Sequence, residues 1–139
     1  MSDGGSRGVV LYVEDNLSNA KLVQRIFDQR PGIRLFEAMQ GTLAIELAKQ
    51  HHPDLILLDL HLPDISGEEV LQTLRQDPET VDIPVIVVSA DATSTQVKRL
   101  LEAGAQNYLT KPIDVAVLLE NLDTTLRPSP RTPVPSQRS

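Results

Sequence analysis

The sequence predicts an α/β protein: a doubly wound, five-stranded parallel sheet with helices on both faces. Three features of the chain point to it. Leu55-Ile56-Leu57-Leu58 and the run from Ile83 to Val88, interrupted only by Pro84, are aliphatic without polar alternation, as in strands buried on both faces. Such runs alternate with segments of helical periodicity along the chain, the pattern of βαβ units. Aromatic residues make up only 3% of the sequence, so the core must be built from Val, Ile and Leu.

The elements follow in order. Met1 to Gly8 is Gly/Ser-rich and expected to be flexible. Val9 to Val13 forms the first buried strand and runs into Glu14-Asp15-Asn16. Asn16 or Ser18 can cap the next helix, with Leu17, Ala20, Val23, Ile26 and Phe27 on one face, and Arg30-Pro31-Gly32 ends it. Arg34 to Ala38 has the mixed pattern of a strand nearer an edge. Thr42 to Gln50 reads as a helix burying Leu43, Ala44, Leu47 and Ala48, stopped by His51-His52-Pro53. The Leu55 strand ends in Asp59, and Asp64-Ile65-Ser66-Gly67 makes a loop. Val70, Leu71 and Leu74 mark a third helix before Asp77-Pro78. The Ile83–Val88 strand terminates in Ser89-Ala90-Asp91, and Thr95 to Ala103 is an amphipathic helix with Gly104 as its stop. Asn107 to Thr110 is the last strand and leads into Lys111-Pro112. Asp114 caps a final helix burying Val115, Leu118, Leu119 and Leu122.

A chain of 139 residues suffices for one domain, which is placed at residues 9–126. Residues 127–139 hold four prolines and are expected to be a disordered tail, with a Pro-x-x-Pro at 130–133. That tail carries three arginines and no acid, so removing it from the formal charge of −6 leaves −9 on residues 1–126. An acidic body argues against direct nucleic-acid binding and suits a cation site. Cysteine is absent, which excludes disulfides and thiolate metal sites. No apolar run approaches the roughly 20 residues that span a bilayer, so no membrane association and a cytoplasmic location are expected.

Four of the five strands run into functional polar groups: Glu14-Asp15, Asp59, Ser89 and Lys111. A doubly wound sheet gathers its carboxyl ends at one edge, where ligands bind. Three carboxylates there cannot all stay ionised without a cation. Oxygen ligands alone favour Mg2+, which takes one or two carboxylates, several waters and a phosphate oxygen. A lysine and a serine hydroxyl suit phosphoryl oxygens. One carboxylate is then left as a nucleophile able to form an aspartyl phosphate.

With these residues in order, the chain resembles the receiver domains of bacterial two-component response regulators, over roughly residues 8–126. Glu14-Asp15 matches the family's acidic pair, Asp59 its phosphoacceptor, Ser89 its hydroxyl residue and Lys111 its lysine. Pro112 matches the proline that usually follows a cis peptide, Pro63 and Gly67 the loop after the acceptor, Ala90 the small access residue and Tyr108 the aromatic switch. The resemblance implies a flavodoxin-like (βα)5 fold with strand order 2-1-3-4-5. It implies Mg2+ bound by Asp15, Asp59 and the His61 backbone carbonyl, with Glu14 acting through water. A histidine kinase or histidine phosphotransfer protein would phosphorylate Asp59. Ser89 and Tyr108 would then turn inward and change the surface of the fourth helix, fifth strand and fifth helix, where a downstream protein target or a second copy docks. Such a domain catalyses only its own phosphotransfer and dephosphorylation, either as a stand-alone regulator or as a module of a hybrid sensor histidine kinase.

His61 and Asp91 each lie two residues past a site residue, where the family tunes water access, and pairing between them across the site mouth is expected to slow hydrolysis. His51-His52 reads as a helix terminus, since adjacent helical residues diverge by about 100°. A phosphohydrolase would need an acid at the position of His61 and a cap insertion. Mononucleotide binding would need a phosphate loop after the first strand, which this chain lacks.

Overall fold

The computed structural model describes residues 8–91 and 93–126. Ten elements alternate: β1 (Gly8–Val13), α1 (Leu17–Phe27), β2 (Ile33–Ala38), α2 (Gly41–His51), β3 (Leu55–Asp59), α3 (Gly67–Gln76), β4 (Val85–Ser89), α4 (Ser94–Glu102), β5 (Asn107–Thr110) and α5 (Val115–Thr125). All strand pairs are parallel, in the order β2-β1-β3-β4-β5. The chain reverses its direction across the sheet between β1 and β3, so both strands end at the crevice where such folds bind ligands.

Why the central strands lack polar alternation is visible in the packing. Val10, Tyr12, Leu55, Leu57, Ile86 and Val88 face one core, closed by Ala20, Val23 and Phe27 of α1 and by Leu118 and Leu122 of α5. Leu11, Val13, Ile56, Leu58, Val85 and Val87 face the other, closed by Ala44 and Ala48 of α2, Val70, Leu71 and Leu74 of α3, and Leu100 of α4. Successive strand residues thus alternate between two apolar layers. Truncating one of these leucines or isoleucines to alanine costs about 2–5 kcal/mol, so the sheet is a rigid frame for its edge.

Helix starts follow their caps. Asn16, Ser66, Thr93 and Asp114 each accept a hydrogen bond from the backbone N–H three residues on. Of the two cap residues expected for α1, Asn16 takes the role. The end of α2 is His51, followed by His52 in the left-handed region at φ 45°, so the histidine pair is a helix terminus.

Several expected boundaries shift. Gly8 already belongs to β1, and β2 begins at Ile33. The fourth strand begins at Val85 and includes Ser89, because Pro84 has no N–H for the ladder. Helix α4 spans Ser94–Glu102. Three side chains expected in the core are instead exposed: Leu17 at 64%, Leu43 at 39% and Val115 at 39%. Leu17 and Val115 open their helices, one turn before the first buried residues Ala20 and Leu118, and Leu43 lies off the Gly41, Ala44 and Ala48 face that α2 buries. The expected flexible start at 1–7 and the Pro-rich tail at 127–139 lie outside the described residues. Among the described residues no helix is long and apolar enough to cross a membrane.

Candidate functional site

Strand alternation alone aims the first acid at the site. Tyr12 and Glu14 are two residues apart on one extended segment and therefore share a face. The Tyr12 hydroxyl donates to Glu14 Oε1 at 3.0 Å, and Asn16 N donates to Oε2 at 3.2 Å. Glu14 is 4% exposed, whereas Asp15 beside it is exposed. One strand over, Asp59 closes β3 and is 2% exposed. Ligand oxygens of Glu14, Asp15 and Asp59 lie within 4.8 Å of one another.

Lys111 enters from the end of β5, held by its backbone N–H on Ser89 O at 3.0 Å and followed by a cis peptide to Pro112. Its Nζ lies 2.9 Å from Glu14 Oε1 and 3.3 Å from Asp59 Oδ1. Burial lowers the ammonium pKa, but the Glu14 hydrogen bond and the charge of Asp59 more than reverse this and hold it above its ordinary value.

One ammonium does not satisfy two buried carboxylates. Among the described residues, Asp59 Oδ1 is a buried side-chain oxygen without a hydrogen bond, since Lys111 approaches it at ion-pair distance outside hydrogen-bond alignment. Burial, then the charge of Glu14, push the Asp59 carboxyl above its ordinary pKa, against the opposing charge of Lys111 and the His61 backbone N–H. Burial and the Glu14 charge likewise raise the Tyr12 phenol. An oxygen-only cluster with one unsatisfied buried oxygen fits a hard divalent cation, so the Glu14, Asp15 and Asp59 group can hold a metal.

Around this centre lie the remaining residues singled out above. Ser89 is fully buried, and its Oγ accepts from Asp91 N at 3.1 Å. Tyr108, half-buried, donates its hydroxyl to the Asp91 backbone oxygen. His61 Nε2 and Asp91 Oδ2 are 3.7 Å apart, both side chains largely exposed. Ala90 is exposed. His51 takes no part: its ring packs against Phe36 with centroids 4.5 Å apart.

Sequence reasoning missed Tyr12 and Asp64. The polar end of Tyr12 was hidden in an apolar run, although its two-residue spacing from Glu14 was a usable signal. Asp64 accepts from Gly41 N at 2.8 Å, Thr42 N at 2.9 Å and Thr42 Oγ1 at 2.8 Å, a tertiary cap of α2. The sequence offered only an indirect sign of it, the weak capping residue Gln40.

Comparison with known proteins agrees with this geometry. Residues 10–123 match the family model described as the response regulator receiver domain. The chain is 39% identical over 117 residues to the polar-differentiation response regulator DivK of Brucella ovis, covering 84% of this chain and 94% of that protein. The signal receiver domain of a LuxO repressor homologue from Vibrio parahaemolyticus superimposes with a TM-score of 0.79 at 34% identity, covering 87% of this chain and 91% of the other. The receiver domain of a sensor histidine kinase from Pseudomonas aeruginosa, solved with a magnesium ion in its active-site cleft, gives 0.78 at 27% identity, with 87% and 98% covered. With its buried acids, its lysine and its sheet order all in place, the chain belongs to the response-regulator receiver domains of two-component signalling.

Proposed function

We propose that this domain is a phosphorylation-switched receiver whose acceptor is Asp59. The observation that carries the reading is the buried, unsatisfied Asp59 Oδ1 beside the Lys111 ammonium and two further acids. A carboxylate held this way keeps one oxygen, Oδ1, with no hydrogen bond to break before it acts as a nucleophile. Its oxygen attacks the phosphorus of a phosphohistidine on a histidine kinase or phosphotransfer protein. The P–O bond to Asp59 forms as the P–N bond breaks, and the freed imidazole nitrogen keeps the electron pair and takes up a proton. Lys111 and the Ser89 hydroxyl, once turned inward, bind phosphoryl oxygens. Hydrolysis reverses the state: water attacks phosphorus, the P–O bond to Asp59 breaks, and carboxylate and inorganic phosphate result.

Asp15, Asp59 and the His61 backbone carbonyl would hold Mg2+, with Glu14 acting through water. When bound, Mg2+ supplies the positive charge that offsets the carboxylates and the phosphoryl oxygens. The oxygen-only donor set supports this choice. Ser89 and Tyr108 both bond to Asp91, so movement of the serine toward a phosphoryl group draws on the same loop that holds the tyrosine. That link supports a two-state change of the α4–β5–α5 surface, read by a downstream protein or a second copy. The domain then acts in the cytoplasm as a module that catalyses only its own phosphotransfer and dephosphorylation, stand-alone or within a hybrid sensor histidine kinase.

Intact-mass measurement after incubation with Mg2+ and acetyl phosphate tests this. The expected result is a gain of one phosphoryl group, absent with EDTA and absent in Asp59→Asn. No gain by folded protein that binds Mg2+ contradicts it and favours a receiver that serves only as an interaction platform.

A further inference from the structure

The loop between Asp59 and α3 is fastened at a point that the proposed chemistry does not use. Helix α2 begins after Gln40, which has the extended backbone of a cap residue but makes no side-chain cap hydrogen bond. The missing cap comes instead from Asp64, more than twenty residues further on, whose carboxylate takes three donors from Gly41 and Thr42. The contact is close on its apolar side as well. A Cβ on Gly41 would lie 2.6 Å from Ile65 Cγ1 and 2.8 Å from Val70 Cγ2, so the start of α2 sits directly on this loop. At the loop's far end, Gly67 N donates to Leu60 O at 2.9 Å, and a Cβ on Gly67 would lie 2.3 Å from the Asp59 carbonyl oxygen. The segment from Leu60 to Gly67 is thus closed on itself at one end and anchored to α2 in its middle. Between these points lies His61, two residues past Asp59 and three before Asp64.

We propose that Asp64 is a positioning residue for the site: by capping α2 from the loop, it fixes the His61 backbone against Asp59 and so sets the affinity for the divalent cation. The inference rests on the proposed role of the Asp59 cluster and of the His61 carbonyl. The Thr42 backbone N–H, with Gly41 N and the Thr42 hydroxyl, holds the Asp64 carboxyl well below the usual carboxylate range, so the anchor is ionised wherever the protein is folded at ordinary pH.

Two roles are separable here, helix capping and loop fastening. Asp64→Ala removes both. Adding Gln40→Ser to that variant gives α2 a cap of its own without restoring the tether, since Ser is a preferred N-cap residue and residue 40 already has the required backbone. The experiment measures Mg2+ affinity by calorimetry and thermal stability for wild type, Gln40→Ser, Asp64→Ala and the double variant. The tether predicts that the double variant recovers stability while its Mg2+ dissociation constant stays roughly tenfold above wild type, the low end of what outer partners of metal ligands contribute. Gln40→Ser alone should bind Mg2+ like wild type. An Asp64→Ala protein with wild-type affinity overturns the proposal, and so does a double variant whose affinity returns with its stability. Should Asp64→Ala not fold, the capped double variant decides alone. Wild-type protein that binds no Mg2+ overturns the site reading itself, a failure distinct from the other two.

Discussion

Asp59→Asn should stabilise the Mg2+-free protein. The carboxylate is 2% exposed and, among the described residues, has one oppositely charged partner, Lys111 Nζ at 3.3 Å. At an effective dielectric of about 20 that attraction is about 5 kcal/mol. Glu14, within 4.8 Å, opposes it by about 3.5 kcal/mol on the same scale, and exposed Asp15 by about 1 kcal/mol at the dielectric of water. The pairwise contributions nearly cancel, so the cost of burying the charge, several kcal/mol per ion, is left largely uncompensated. An asparagine keeps the shape and removes that charge, and a gain of about 1–3 kcal/mol follows, less than the full cost because its amide still needs partners. For a domain of this size the melting temperature should rise by about 5–10 °C. The sign with pH is fixed by the raised pKa of Asp59. Protonation of the folded state contributes stability that is fully present below the ordinary value of 3.8 and is lost as pH rises through the higher folded value. The advantage of Asp59→Asn should therefore be largest near neutrality and shrink as pH falls toward 4. Saturating Mg2+ should close the gap by raising the wild type alone, by about 2.7 kcal/mol at a hundredfold excess over Kd. Differential scanning calorimetry in EDTA and in Mg2+ reads all of this. A wild type as stable as the variant in EDTA, or an equal rise of both proteins in Mg2+, would refute the electrostatic reasoning.

Other substitutions separate the supports of the site. Gly67→Ala places its methyl against the Asp59 and Leu60 backbone and should cost the upper end of the ~1–3 kcal/mol typical of overpacking; Gly41→Ala meets side-chain atoms of Ile65 and Val70 rather than backbone and should cost less. Urea denaturation orders the two, and the reverse order contradicts the contact geometry. The folded pKa of Asp64 is lowered, so its stabilisation is present above the ordinary carboxylate value of 3.8 and is lost as pH falls below it. Asp64→Asn should accordingly melt below wild type at pH 7, with the difference shrinking in acid; an offset undiminished at the lowest pH that leaves both folded contradicts this. The His61–Asp91 pair at 3.7 Å should slow phosphoryl loss, and replacing both by alanine should shorten the aspartyl-phosphate lifetime about two- to fivefold, the range an exposed pair supports. An unchanged lifetime in a quench-and-mass assay removes that role.

How far the sequence carried can be seen residue by residue. The central strands were legible because burial on both faces leaves no polar alternation, and Asp59 stood out as the acid closing such a run. The caps Ser66, Thr93 and Asp114 follow local rules, although only Asp114 was singled out beforehand. What local patterning could not decide was which apolar positions of a helix are covered. Leu17 and Val115 fit an apolar stripe yet lie a turn before the first buried residue of their helices, and Leu43 lies off the buried face of α2. Nor could it show contacts between distant segments that need three-dimensional placement, such as the Asp64 cap on α2. The acids and the lysine were found because each terminates a strand, and the parallel sheet collects those ends without further information.

The most direct test of Asp59 as acceptor is to locate the phosphoryl group. Protein treated with Mg2+ and acetyl phosphate is reduced with borohydride, which converts an acyl phosphate to the alcohol, and the digest is sequenced by mass spectrometry. Homoserine at position 59, absent when acetyl phosphate is omitted, is the predicted result. Homoserine at Asp15 or another acid, with Asp59 intact, would contradict the account.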